Sequence, residues 1–249
     1  MVPTALASAA EVLVATDHDA FARGSLRRPV LRGWLSDGAV AWIGTDAEER
    51  VPYLSALGQP PHVAELVAEL LPELPPRQRV TLPRGTPALL PAWVGLERET
   101  DWDFRWLSAP PPVQPGEVAV VADVDEVAVK ALLHDASPTA SAAPGDPAVR
   151  AWWGIPSFDG GLLACAADTT SATGVGHLSS IATRPAQRGR GLAKAVTARV
   201  TRALFEDGCD IVALGMYATN ERGRRLYDSL GFRADHAFTS GRLVQRTRW

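Results

Sequence analysis

The residues best arranged for chemistry are Thr183-Arg184-Pro185-Ala186-Gln187-Arg188-Gly189-Arg190-Gly191-Leu192-Ala193. Gly189 and Gly191 let the backbone turn tightly, and apolar residues at helical spacing begin directly after them. Consecutive amide N–H groups backed by a helix N-terminus form a concave anion site there, and a pyrophosphate fits such a cradle. A triphosphate loop would read Gly-x-x-x-x-Gly-Lys-Ser/Thr. A dinucleotide loop would read Gly-x-Gly-x-x-Gly with an acidic residue about 20 positions on. Neither pattern is present. Arg184, Arg188 and Arg190 either add charge at the phosphates or form a solvated basic turn. The formal net charge of −3 gives no global positive field for nucleic acid or an anionic membrane, so anion recognition has to be local.

The elements that position this turn emerge from periodicity. Val175–Thr183 reads as a strand before it. Gly191–Asp207 reads as a helix after it, with Leu192, Val196, Val200, Ala203 and Leu204 on one face and Gly208 closing the end. Upstream, Glu117–Ala122 reads as a strand and Val124–Leu133 as a helix. Ala151–Ile155 and Leu162–Ala167 read as two strands of a hairpin around Ser157–Gly161. Downstream come a strand over Ile211–Tyr217, a short helix over Asn220–Leu230, and a closing hairpin of Phe232–Phe238 with Gly241–Arg248. Ala136–Pro147, made of small residues and prolines, reads as a mobile surface loop.

Ala109-Pro110-Pro111-Pro112-Val113-Gln114-Pro115-Gly116 excludes helix interior and central strand. It sets the expected boundaries at 1–109, a connector over 110–116, and 117–249. In the N-terminal part, Ala39–Gly44, Val51–Leu57 and Arg79–Leu82 read as strands and His62–Leu71 as a helix. Trp93–Leu96 and Trp102–Leu107 echo Ser229–Phe232 and the strands after it. Either a diverged internal duplication or an unrelated α+β domain accounts for this. Two prolines, Pro60 and Pro61, remove N–H donors where the C-terminal turn supplies them, so one bound nucleotide per chain is expected.

Cys165 and Cys209 lack metal or redox spacing and read as small core residues. Residues 1–20 lack the basic start of a secretory signal, and no apolar run is long enough to span a bilayer, which together imply a cytoplasmic location. Trp34, Trp42, Trp93, Trp102, Trp106, Trp152, Trp153 and Trp249 fill cores by default. Trp152 and Trp153 are strand neighbours, so one faces inward and the other is free to line an acceptor pocket.

The turn resembles that of the GNAT acetyltransferase superfamily, Arg/Gln-x-x-Gly-x-Gly/Ala, met by Arg188, Gly191 and Ala193, with Pro185 at the family's usual proline. A second family block, Asn-x-x-Ala-x-x-Leu-Tyr-x-x-x-Gly-Phe, is met by Asn220, Leu226, Tyr227, Gly231 and Phe232, with Gly223 in place of alanine. The resemblance covers residues 117–248. It implies that the amides of Arg188, Gly189, Arg190, Gly191, Leu192 and Ala193 hold the pyrophosphate of coenzyme A. It also implies that Ile181 and Thr183 pair edge-on with the pantetheine arm, and that Asn220 contacts the same arm or simply caps the helix.

Tyr227 is then the general acid, a phenol that protonates the departing thiolate, or else a core tyrosine beside Leu230. Counting back from Arg188 puts His177 where histone-acetylating relatives carry a glutamate base. An imidazole suits that work at neutral pH, and His177 shares strand parity with Ser179, Ile181 and Thr183. A water relay or a plain surface histidine competes with this reading.

The expectation is therefore an α/β protein, an α+β mixed sheet, with the GNAT fold in its C-terminal half and a second N-terminal domain. Its reaction is transfer of acetyl from acetyl-CoA directly to the amine of a small molecule or peptide, with no metal. Nucleic acid and membrane are not partners, and monomer and oligomer both fit the sequence. The competing reading is a non-catalytic acyl-CoA-binding regulatory or interaction protein.

Overall fold

A computed structural model describes residues 2–26, 32–45, 52–171 and 174–245. The chain forms a mixed α/β fold that divides into two compact units. Unit 1 holds residues 1–104, 216–220 and 234–249; unit 2 holds residues 105–215 and 221–233. This differs from the expected division at the proline connector. Pairing in a sheet decides membership, and the last strand of the chain hydrogen-bonds within the N-terminal unit.

Unit 1 begins with β1 (Thr4–Leu6), α1 (Ala9–Ala15) and α2 (Ala20–Ser25), the helices capped by the side chains of Ser8 and Asp19. None of these was legible in the sequence, nor was β2 (Arg32–Ser36). β2, β3 (Ala39–Thr45) and β4 (Pro52–Gly58) form an antiparallel meander. Val51, the expected start of the third of these strands, lies outside the described residues. α3 (Pro60–Leu70) starts at the two prolines, which suit the first helical turn, and returns the chain to β5 (Arg79–Pro83), parallel to β4. α3 buries Val63, Leu66, Val67 and Leu70 against Leu54, Ala56, Val80 and Leu82. β6 (Val94–Leu107) is one strand where two were expected, and its last three residues count in unit 2.

Unit 2 repeats this order. The segment expected as a strand at Glu117–Ala122 is instead a 3-10 turn over Glu117–Ala119 with a single bridge from Val121 to Gly154. The reason is Glu117 itself. Its carboxylate is buried, accepts from the Gln114 amide, and forms a two-pronged ion pair with Arg202. α4 (Glu126–Ala136) is capped by Asp125. β7 (Ala151–Pro156), β8 (Leu162–Asp168) and β9 (Val175–Thr183) form an antiparallel meander. α5 (Leu192–Glu206) leads to β10 (Ile211–Tyr217), parallel to β9.

α5 ends in a Schellman arrangement, with Cys209 N–H on the Leu204 carbonyl and Gly208 N–H on that of Phe205. It closes tightly on β9 because Gly176 has no side chain. A Cβ there would lie 3.0 Å from Leu204 Cδ1. On the other face Val129, Leu132 and Leu133 of α4 pack with Trp152, Cys165, Ala167 and Ala182.

α6 (Glu221–Ser229) then precedes β11 (Arg233–Gln245), a single strand where a hairpin was expected; the end of that expected hairpin, residues 246–248, lies outside the described residues. β11 enters unit 1, where it pairs antiparallel with β5, Phe238 opposite Pro83 through Arg242 opposite Arg79.

Candidate cofactor and catalytic site

In unit 2, β9 and β10 run parallel but stay paired only from Val175–Ile211 to Leu178–Leu214. From Ser179 to Thr183 the β10-facing edge of β9 carries no β10 partner. The separation coincides with a bulge. Ser179 faces Ala167 and Ala182 faces Cys165, so Ser180 and Ile181 share the single opposing residue Ala166, and Ser180 adopts φ +50°. A serine in that conformation is uncommon. It is held by the segment after α4, because Ser180 Oγ accepts from the Ala142 amide at 2.8 Å and donates to its carbonyl at 2.9 Å. The expectation of a loose loop at Ala136–Pro147 is corrected here: Ala142 is buried in the α4 cluster and fastened to the bulge.

The bulge also overturns the parity argument for His177. One inserted residue flips every side chain beyond it, so Ile181 and Thr183 point to the face opposite His177 and Ser179. His177 lies near the start of β9 in a polar group of its own. Its Nδ1 is 2.6 Å from Thr169 Oγ1, and its amide donates to Thr170 Oγ1 at 2.9 Å. If Nδ1 carries the proton toward Thr169, Nε2 is left as an acceptor.

The end of β9 brings together most of the expected cofactor residues. Thr183 Oγ1 is buried without a hydrogen-bond partner among the described residues. After a 3-10 turn at Pro185–Gln187, Gly189 (φ +81°) and Gly191 (φ +77°) take left-handed conformations, and Gly191 caps α5. The first amide of this stretch with an internal partner is Ala195, on the Gly191 carbonyl. The N–H groups of Gly189, Arg190, Gly191, Leu192, Ala193 and Lys194 have no acceptor among the described residues. A Cβ built on either glycine meets nothing within 4 Å, so the cradle is open. These donors at the positive end of a 15-residue helix, with the unpaired strand edge and the orphaned Thr183 hydroxyl beside them in sequence, fit a pyrophosphate joined to an amide-bearing arm.

The arginines divide. Arg184 is committed elsewhere, gripping Asp159 of the β7–β8 turn at 2.7 Å and the Leu162 carbonyl at 3.1 Å. That grip and the Gly161 amide hold the Asp159 carboxyl well below its ordinary range. Arg188 donates to the Ala136 carbonyl at 3.1 Å and Arg190 to the Gln187 side chain. Both arginines remain at the turn.

Tyr227 lies on α6. The ring is 7% exposed and packs edge-on against Phe232, centroids 5.7 Å apart. The geometry explains the sequence block. Phe232 N–H bonds to the Tyr227 carbonyl and Gly231 N–H to that of Asp228, with Gly231 at φ +88°. This is a Schellman motif whose hydrophobic contact is the tyrosine–phenylalanine pair. Leu-Tyr-x-x-x-Gly-Phe therefore fixes the ring's position through a helix stop. Burial pushes the Tyr227 phenol up to about 12, while the charge of Arg105 acts in the opposite direction. Arg105 was missed by sequence reasoning. It is a buried cation on β6, paired with Asp228. Nothing in an isolated arginine codon announces that.

Asn220 immediately precedes α6, is exposed, and falls in the 216–220 segment of unit 1. Trp152 is core, and Trp153 is covered by the Arg199 guanidinium at 5.4 Å. Trp249 lies outside the described residues. Cys165 is buried, and desolvation raises its thiol to about 12. Among the described residues no cluster of three His, Cys, Asp or Glu side chains forms, and no helix is long and apolar enough to cross a membrane.

In unit 1 the corresponding helix start is different. Pro60 and Pro61 remove two donors, Val63 N–H is used by Gln59, and a Cβ on Gly58 would lie 2.3 Å from the Gly38 carbonyl. That end is filled where the turn of unit 2 is open.

A strand with a central bulge, diverging from its parallel neighbour and feeding a glycine turn into a helix, is the arrangement of the GNAT acetyltransferase fold, and the C-terminal half of the chain has that fold. Residues 157–240 match the FR47-like protein family. A putative acetyltransferase of the GNAT family from Novosphingobium aromaticivorans is 27% identical, with a TM-score of 0.55 over 82% of this chain and 92% of that one. A GCN5-related N-acetyltransferase from Kribbella flavida (20% identity, TM-score 0.52, 93% and 95% covered) shares the fold. So does a Drosophila protein (18%, 0.62, 99% of each chain), which matches across both units. No curated protein is significantly similar in sequence.

Proposed function

We propose that this protein is an N-acetyltransferase that uses acetyl-CoA and acetylates an amine on a small molecule or peptide. The observation that carries the reading is the row of six unpartnered amides from Gly189 to Lys194 at the start of α5. Bound acetyl-CoA would supply an activated thioester. The amides of Gly189 to Ala193 would hold its pyrophosphate, with the Arg188 and Arg190 side chains adding charge; the Arg188 amide, expected to join them, is donated to the Pro185 carbonyl at 3.3 Å. The free edge of β9 from Ser179 to Thr183, Ile181 included, would hydrogen-bond its amide arm as an added strand does.

Tyr227 Oη holds the proton needed by the leaving sulfur. With the phenol near 12 and a thiol near 8.5, full transfer is uphill by about 5 kcal/mol. The hydroxyl therefore acts first as a hydrogen-bond donor to developing negative charge, and its proton is present at every working pH. His177, through Nε2, is assigned to accept the proton the amine must lose, directly or through water.

The test is release of free thiol from acetyl-CoA across amines, amino acids, aminoglycosides and peptides, alongside calorimetry with coenzyme A. Turnover with at least one amine supports the enzyme. Tight binding without turnover on any of them moves the reading to an acyl-CoA-binding regulatory module, and absence of binding overturns it.

A further inference from the structure

Arg105 stands near the end of β6, in unit 2, with a side chain 3% exposed. That is a costly place for a guanidinium unless it is fully paired. The pairing is incomplete. Nη1 meets the carboxylate of Asp228, but that carboxylate is 56% exposed and therefore screened by water, and Arg105 Nε is buried with no partner among the described residues. Asp228 is the residue directly after Tyr227, whose ring the helix stop fixes beside Phe232. A sealed and under-neutralised cation is thus tethered one residue from the phenol. Arg233, also in unit 2, is stacked over Trp106 at 4.6 Å.

We propose that Arg105 is a positioning residue for Tyr227: held by Asp228 at the last turn of α6, its charge stabilises the oxygen that becomes negative as Tyr227 gives up its proton. This rests on Tyr227 being the acid of the acetyl transfer. In that step the amine nitrogen bonds to the acyl carbon as its surplus proton passes to the base, and the carbon–sulfur bond breaks with its electron pair leaving on sulfur. The O–H bond of Tyr227 then breaks as an S–H bond forms. The electron pair stays on the phenol oxygen, within the field of the buried guanidinium, and solvent restores the proton. The charge of Arg105 acts in the right sense, lowering the cost that burial imposes on the phenolate. An ion pair that only ties β6 to α6 would have no such effect.

The test replaces Tyr227 with 3,5-difluorotyrosine, whose phenolate forms within the pH range where proteins stay folded, and tracks its absorbance against pH. Arg105→Met should raise the midpoint by about one pH unit or more, and Arg105→Lys should hold it near the parent value. Asp228→Asn, which removes the counter-charge while keeping a side chain of the same shape at an exposed position, should lower it, with unfolding followed in parallel so that only folded protein is read. With unmodified Tyr227, Arg105→Met should reduce kcat about tenfold with coenzyme A affinity unchanged, and Arg105→Lys should recover most of the loss. Midpoints that do not move, or that move in the same direction in Arg105→Met and Asp228→Asn, overturn the proposal. If Arg105→Met does not fold, the downward shift in Asp228→Asn decides the matter alone. Loss of the acetyl-transfer reading would appear separately, as absence of turnover in the parent protein with these titrations unaffected.

Discussion

Gly191→Val should separate stability from cofactor binding in a way the backbone dictates. Gly191 caps α5 at φ +77°, ψ 2°, and a Cβ there would touch no atom within 4 Å. No clash enters the estimate, so the cost is the left-handed conformation itself, about 1–2 kcal/mol for an ordinary L-residue and more for a β-branched one. If the turn stays as it is, that strain lowers Tm by roughly 2–8 °C. If the turn relaxes toward negative φ, the amides on both sides of residue 191 rotate away from a common focus. Each charge-assisted amide–phosphate bond lost removes about 1.5–3 kcal/mol, so coenzyme A affinity should fall at least tenfold. Asparagine tolerates this backbone region, so Gly191→Asn should recover most of both quantities. Scanning calorimetry and titration with coenzyme A measure them on the same samples. A folded Val variant with parental Tm and parental affinity would refute both the cradle and the reasoning that built it.

Tyr227→Phe removes one hydroxyl and leaves the ring on Phe232; turnover should fall about 100-fold with coenzyme A binding unchanged, and near-full turnover in a chemically limited step takes Tyr227 out of the mechanism. His177→Ala should abolish the acidic limb of the pH–rate profile, since a protonated imidazole no longer accepts a proton; an unaltered profile assigns the limb elsewhere. Glu117→Gln leaves Arg202 buried without its counter-charge and should cost about 3 kcal/mol in urea unfolding, whereas a loss below about 0.5 kcal/mol would class the pair with surface ion pairs. Coenzyme A should bind once per chain, because the start of α3 offers prolines where α5 offers donors; two equivalents by calorimetry would contradict this.

The turn and the Tyr227 block were legible because each is a local motif whose glycines sit where left-handed backbone is required. β7, β8, β9 and β10 were legible from short apolar runs. The bulge was not. It is made by Ser180, with no glycine or proline to mark it, and depends on Ala142, which is 38 residues away in sequence. Thr239-Ser240-Gly241 has the composition of a turn, yet β11 runs straight through it. Gly241 is there because a Cβ would lie 3.0 Å from the Glu97 carbonyl and from Leu96, so glycine marks a close approach between strands. Glu117 reads as a solvated strand residue, and only the fold shows it reaching Arg202. The first 36 residues yielded nothing because their elements are three to seven residues long, too short for a period to register.

The placement of β11 has a bearing on how the chain is made. A nascent chain emerges from the ribosome N-terminus first, so unit 1 must wait for more than a hundred further residues before the strand that pairs with β5 arrives, bringing Phe238 and Leu243 into its core. Until then β5 is an open edge, the kind of surface that chaperones shield and that invites association between unfinished chains. Nonsense or frameshift lesions late in the coding sequence would damage the first half of the molecule as much as the second. A simple cut at the proline-rich connector would therefore part unit 1 from one of its own strands.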